Sequence, residues 1–175
     1  MNQPLIAIAG FMGSGKTTVA RALATQLGCE AFDLDESITR AEQRSPKEII
    51  EQDGEDKFRE IETRALAELL KRDGPGVVAL GGGTWTTPAN RKLLAEASAI
   101  AIWLDAPFEL CWKRIEASRQ TRPLAPSEEA AKERYEDRLD VYALADFRVV
   151  VTESESAEEL AKSITRLILR QSGNS

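Results

Sequence analysis

Apolar positions along the 175 residues follow two patterns: short continuous runs, and longer stretches in which they recur at helical spacing. The continuous runs occupy residues 5–9, 77–80, 99–104 and 149–151, with a weaker one at 31–34. A strand with one wet face alternates apolar and polar residues, whereas a strand covered on both faces does not. Five buried strands separated by helical stretches therefore predict an α/β fold, a three-layer α/β/α sandwich around a parallel sheet. Right-handed crossovers would place its ligand crevice beyond the carboxyl ends of the strands.

The stretches between the runs refine this layout. Residues 16–27 carry Val19, Ala22, Leu23 and Leu27 at helical spacing, and Gly28 is a suitable stop. After Asp35 a charged helical segment runs through Glu62, in which Ile38, Ile49, Ile50 and Phe58 are the sparse apolar positions, so that residues 34–62 have the profile of a flap beside the sheet rather than its central core. Helix continues over 62–71 and is broken by Asp73-Gly74-Pro75-Gly76; further helices are predicted over 88–97, 108–118, 128–142 and 157–169. Residues 119–127, Arg-Gln-Thr-Arg-Pro-Leu-Ala-Pro-Ser, are too polar and proline-rich for a core element and read as a lid. The last strand is predicted over 147–151, and residues 171–175 are expected to fray. The whole of 1–175 suits one domain.

Composition narrows the chemistry. With 42% hydrophobic and 30% charged residues the chain reads as globular, and its net charge of −6 argues against nucleic acid or an anionic membrane as a partner. The expectation is a cytoplasmic protein, since the N-terminus lacks a basic segment followed by an apolar stretch and no membrane-length apolar run occurs. Cys29 and Cys111 suit reduced core thiols. Histidine is absent, which excludes a Ser-His-Asp triad, a histidine-bound zinc and a histidine base.

Gly10-Phe11-Met12-Gly13-Ser14-Gly15-Lys16-Thr17 follows the first strand and opens the first helix. A glycine, four residues and then Gly-Lys-Thr let the backbone curl until several N–H groups point at phosphate oxygens, with the positive helix end behind them. Lys16 would neutralise the outer phosphates and Thr17 would give its hydroxyl to magnesium. Asp33 and Asp35 fall at the end of the second strand, where alternation would send one toward the metal and the other toward an acceptor hydroxyl; helix capping is the competing reading of Asp35. Gly81-Gly82-Gly83 ends the third strand, where a ligand could approach the backbone. Arg59, Arg114, Arg122 and Arg138 suit carboxylate and phosphate clamps, with solvated surface positions as the alternative.

The order of these motifs resembles the shikimate kinase family. The likeness lies in the phosphate loop, Phe32-Asp33-Leu34-Asp35, Gly54-Glu55 with Phe58-Arg59 and Glu62, the triple glycine, Arg122-Pro123-Leu124, and Arg138 with Tyr142 and Ala145. The resemblance implies a five-stranded P-loop fold like that of nucleoside monophosphate kinases, working as a monomer. The implied reaction is ATP-dependent phosphorylation of shikimate at its 3-hydroxyl, in aromatic amino-acid biosynthesis. A sugar-acid kinase of gluconate type, or a nucleotide-binding module without phosphotransfer, are the other readings.

By that resemblance Gly13, Ser14, Gly15, Lys16, Thr17 and Thr18 hold the nucleotide phosphates, and Thr17 and Asp33 support Mg2+. Asp35 holds the reacting hydroxyl. Arg59, Arg138 and the backbone at Gly82 and Gly83 grip the substrate carboxylate, Arg122 reaches the transferring phosphoryl group, and Arg114 lies along the adenine, whose loop falls near 154–156. Lys16, Asp35 and Arg122 are the catalytic set. Three positions depart from the family pattern: Thr39 in place of a glutamate, Trp85 in place of a smaller residue, and Asp140 where Arg-x-Pro is usual. Trp85 leaves two readings open, a wall of the acceptor pocket or a core or rim residue.

Overall fold

The computed structural model describes residues 4–72, 74, 76–118 and 123–172. Five parallel strands, β1 (Ile6–Ala9), β2 (Glu30–Asp33), β3 (Gly76–Ala79), β4 (Ile100–Asp105) and β5 (Phe147–Val150), form one sheet in the order β2-β3-β1-β4-β5. Strand β1 is central, with Ile8 paired to Ala79 on one side and Ile102 on the other. Its four residues are all buried, as an uninterrupted apolar run requires. The edge strands β2 and β5 are partly exposed, which is why 31–34 reads as a weak run.

The helices are α1 (Lys16–Leu27), α2 (Leu34–Glu42), α3 (Pro46–Asp53), α4 (Glu55–Leu70), α5 (Pro88–Glu96), α6 (Phe108–Ala117), α7 (Glu128–Glu136), α8 (Leu139–Tyr142) and α9 (Ala157–Ser172). The chain leaves β1 in one direction along the sheet to reach β2, and every later crossover runs the opposite way. Right-handed connections therefore put α1 on one face and α4 and α5 on the other. α9 packs on α1. All the loops at the strands' carboxyl ends then open on one side of the sheet.

Two predicted helical stretches are divided. The 34–62 segment is three helices: Ser45 closes a capping box with Glu48 ahead of Pro46, and Gly54, at φ +90°, turns the chain between α3 and α4. Ile38, Ile49 and Phe58, sparse as they are, are buried and continuous with the sheet's core. The 128–142 segment is split into α7 and α8. Helix α9 runs past 169 to Ser172; the fraying expected at 171–175 falls partly outside the described residues.

Candidate active site

The phosphate-binding loop is built on three glycines with positive φ: Gly10 (147°), Gly13 (78°) and Gly15 (96°). Neither Gly10 nor Gly13 has room for a side chain, since a Cβ would lie 2.7 Å from the Leu104 carbonyl oxygen at the first and 2.6 Å from that of Cys111 at the second. The loop is thus wedged between the sheet and α6. Gly15 caps α1 with no side-chain bond, and the first turn carries no acidic residue, so the helix N-terminus keeps its attraction for an anion. Lys16 Nζ donates to the Phe11 carbonyl at 2.8 Å, folded over the loop it would share with phosphate. The Ser14 hydroxyl is buried and has no hydrogen-bond partner among the described residues. Arg114, from α6, donates to the Gly13 carbonyl at 3.2 Å.

The Thr17 hydroxyl donates to Asp33 Oδ2 at 2.5 Å. Asp33 Oδ1 accepts from the Glu36 N–H at 3.1 Å, which makes Asp33 the cap of α2. Asp35 therefore stands in the first turn of a helix rather than on a strand, and the two aspartates diverge through helix geometry instead of strand alternation. Asp33 is fixed from both sides beside Thr17. Two hard oxygen donors at the mouth of a phosphate loop fit magnesium, which takes most of its remaining ligands from water and phosphate. No group of three or more Cys, Asp or Glu side chains suited to a metal occurs among the described residues.

Across the crevice, a ladder of charges runs along α4. Arg59 donates to Glu62 Oε2 at 2.8 Å and to Glu55 Oε1 at 3.0 Å, and Arg134 of α7 reaches the same Glu55 oxygen at 3.3 Å. Glu62 is fully buried and also accepts from the Thr84 hydroxyl at 2.6 Å. Burial works against the Arg59 charge, but the Glu62 and Glu55 carboxylates outweigh it and hold its pKa above the ordinary arginine value. Gly81 admits the Glu62 carboxylate, the Thr84 hydroxyl and Asp35 at once: a Cβ there would lie 2.7, 2.9 and 3.0 Å from their oxygens. At Gly83 a Cβ would land on the Arg59 guanidinium, and at Gly82 one would press on the Met12 nitrogen at 3.3 Å, so the triple glycine joins the acceptor side to the phosphate loop.

Arg138 is the second cation of this side. It is only 8% exposed, donates to the Gly82 carbonyl at 3.0 Å, and forms no ion pair with any described residue. Burial holds its pKa below the ordinary arginine value, and the nearby charges of Arg134 and Arg59 add to the effect. Tyr142 donates to the same Gly82 carbonyl at 2.5 Å, and burial pushes its hydroxyl up to about 12. A buried cation without a carboxylate partner among the described residues, next to a second arginine, is suited to receive an anion.

One cavity of about 1200 Å³ spans both halves, lined by Gly13, Gly15, Lys16, Thr17, Thr18 and Arg114 at one end, and by Asp33, Asp35, Arg59, Gly82, Gly83 and Arg138 toward the other. Every predicted site residue but Ser14, buried beneath the loop, and Arg122, outside the described residues, lines it. Of the predicted lid 119–127, Pro123 and Leu124 line the cavity and Ala125 is buried against Phe108 and Ala131. Residues 154–156 do not line it; Glu155 instead caps the Thr152 N–H at 3.2 Å. Thr39 lines the cavity, whereas Trp85 is absent from the lining, 5% exposed, and donates its indole N–H to the Val141 carbonyl at 2.9 Å. Of the partners of Arg59, the spacing of Glu55 and Glu62 at i−4 and i+3 was a usable signal. Thr84 and Arg134 carried none.

A phosphate loop at the centre of a parallel sheet, sharing one crevice with a carboxylate and paired arginines, defines a P-loop kinase of a small anionic acceptor. The shikimate kinase family matches residues 12–169. A shikimate kinase of Ruegeria pomeroyi is 36% identical over 162 residues, covering 91% of this chain and 82% of that protein. The structure of shikimate kinase from Acinetobacter baumannii in complex with shikimate has a TM-score of 0.89 at 36% identity and covers 97% of this chain and 94% of its own. A gluconokinase from Sinorhizobium meliloti, at 20% identity and TM-score 0.65 over 98% of this chain and 97% of that one, shares the fold alone. The chain belongs to the shikimate kinase family.

Proposed function

We propose that this protein transfers the γ-phosphoryl group of ATP to the 3-hydroxyl of shikimate. The observation that carries the reading is Arg138, a buried cation with no acidic partner among the described residues, beside Arg59 in the cavity that also holds Asp35 and the phosphate loop. The loop N–H groups and the α1 terminus hold the triphosphate, and Lys16 exchanges the Phe11 carbonyl for phosphate oxygen. Thr17 and Asp33 would hold magnesium, which supplies charge neutralisation on the phosphates.

Arg59 and Arg138 grip the acceptor carboxylate, with the Gly82 and Gly83 backbone against it, so that the 3-hydroxyl faces Asp35. Asp35 accepts the hydroxyl's hydrogen bond and aligns it; the hydroxyl oxygen bonds to the γ-phosphorus as the bridging P–O bond to ADP breaks, and the proton leaves on the Asp35 side. Arg114 lies along the nucleotide, and Arg122 of the 119–127 lid adds positive charge to the transferring group. Residues 34–62 act as the acceptor flap of a single monomeric domain in the cytoplasm. Coupled ADP release with ATP, magnesium and shikimate tests the proposal. Turnover well above background hydrolysis is expected with shikimate and not with gluconate; the reverse order of the two acids would overturn it.

A further inference from the structure

The residue that departs most in size from the family pattern lies outside the cavity yet touches the element that carries Arg138. Trp85 sits in the short 3-10 helix Thr84–Thr86 that follows the triple glycine. Its backbone is held from behind: Arg91 donates to the Trp85 carbonyl at 2.7 Å, and buried Asn90 donates to that of Thr84 at 3.0 Å. With its main chain anchored, the indole points at α8 and donates to the Val141 carbonyl.

Helix α8 is only four residues long, too short to hold itself by its own hydrogen bonds. Arg138 is its cap, and the Val141 and Tyr142 N–H groups both bond to the Arg138 carbonyl, at 3.1 and 2.9 Å. Three contacts pin this turn to the triple-glycine segment: Arg138 and Tyr142 to the Gly82 carbonyl, and Trp85 to the Val141 carbonyl. Tyrosine has a second support, its ring stacked on Trp103 with centroids 6.0 Å apart. The Val141 carbonyl also accepts from the Leu144 N–H at 3.2 Å within its own turn, so the indole N–H is what ties it to the triple-glycine segment, a donor that no aliphatic or phenyl side chain at position 85 would supply.

We infer that Trp85 is a positioning residue for the acceptor: by holding the Val141 carbonyl it fixes α8 and keeps the Arg138 guanidinium aimed at the acceptor carboxylate. The inference rests on the reading of Arg138 given above. It assigns the unusual tryptophan to acceptor affinity through Arg138 and not to the wall of the pocket.

Trp85→Phe keeps an aromatic ring and removes the N–H. The KM for shikimate should rise about three- to tenfold, the size of one lost buried hydrogen bond, with kcat and the KM for ATP within about twofold of the parent. In protein labelled with 15N-arginine, the Arg138 Nε–H signal, assigned by its loss in Arg138→Lys, should exchange with solvent at least about fivefold faster in the variant. An unchanged shikimate KM, or equal rises for both substrates, would overturn the inference. Should Trp85→Phe fail to fold, benzothienylalanine at position 85 preserves the ring shape without the N–H and is read the same way. If the parent protein does not turn over shikimate, the function reading fails by itself, and the Arg138 exchange rate alone decides whether Trp85 holds that side chain.

Discussion

The nucleotide end and the acceptor end of the cavity are made in different ways. The first is eight consecutive residues, Gly10 to Thr17, curled by glycines and wedged between Leu104 and Cys111, and its binding groups are mostly backbone N–H. The second gathers side chains from α2, α4 and the α7–α8 junction around the backbone of the triple glycine, and sets their direction by a part-buried ladder of ion pairs and a bond from Arg138 to the Gly82 carbonyl. In a backbone-built site the glycines hold the fold of the loop itself, so their loss costs stability. In one built from side chains each charge depends on its neighbours, so a change there costs affinity first. A common phosphate donor and a particular acceptor call for these two designs.

The largest effects should separate the ends chemically. Asp35→Asn should lower kcat by about 10²-fold or more while leaving ATP affinity nearly intact, because it acts on the hydroxyl and not on phosphate. Lys16→Ala should weaken nucleotide binding as well as turnover. Calorimetry with an ATP analogue beside steady-state kinetics measures both, and equal loss of nucleotide affinity in the two variants would break the division.

Glycine substitutions should sharpen it. Gly13→Ala forces a non-glycine residue to φ 78° against the Cys111 carbonyl and should destabilise the fold by about 2–4 kcal/mol in urea unfolding. Gly83→Ala, at φ −112°, has an ordinary backbone but pushes on the Arg59 guanidinium. It should keep most of the stability and raise the acceptor KM about tenfold through displacement of one charged hydrogen bond. Similar stability losses in both would erase the distinction.

The smallest effect concerns alkaline stability. Burial pushes the Tyr142 hydroxyl up to about 12 from 10.0 and the Cys111 thiol up to about 11 from 9.0. Between the ordinary and the raised values the unfolded chain releases protons that the folded protein retains, so stability is full below about pH 9 and falls as pH rises toward about 12. Tyr142→Phe should flatten the upper part of that fall in thermal melts across the range. A slope identical to the parent's would remove Tyr142 from the effect.

What could be read from the chain follows the same division. The strands and the phosphate loop were legible because continuous apolar runs and an eight-residue pattern are local signals. Asp35 lines the cavity for a reason other than the expected one: alternation along a strand was expected, but Asp33 caps α2, and the helix starts at Leu34. The flap's core contacts were hidden because Ile38 and the Ile49-Ile50 pair stand among charged residues, yet Ile38 and Ile49 bury completely once α2 and α3 fold over α4. The Arg134–Glu55 contact joins residues 79 positions apart, and the Trp85–Val141 bond joins residues 56 apart, distances at which no periodicity informs. Residues 119–122, with Arg122, lie outside the described structure, so that part of the lid rests on sequence.

The claim that the acceptor end is a receptor for a carboxylate is tested most directly by comparing shikimate with its neutral carboxamide as substrates under saturating ATP. The acid should be turned over, and the amide should show a KM higher by about tenfold or more, since Arg138 would keep its buried charge without an anionic partner, while the KM for ATP stays the same with either. An amide phosphorylated as readily as the acid at equal concentration would contradict the account.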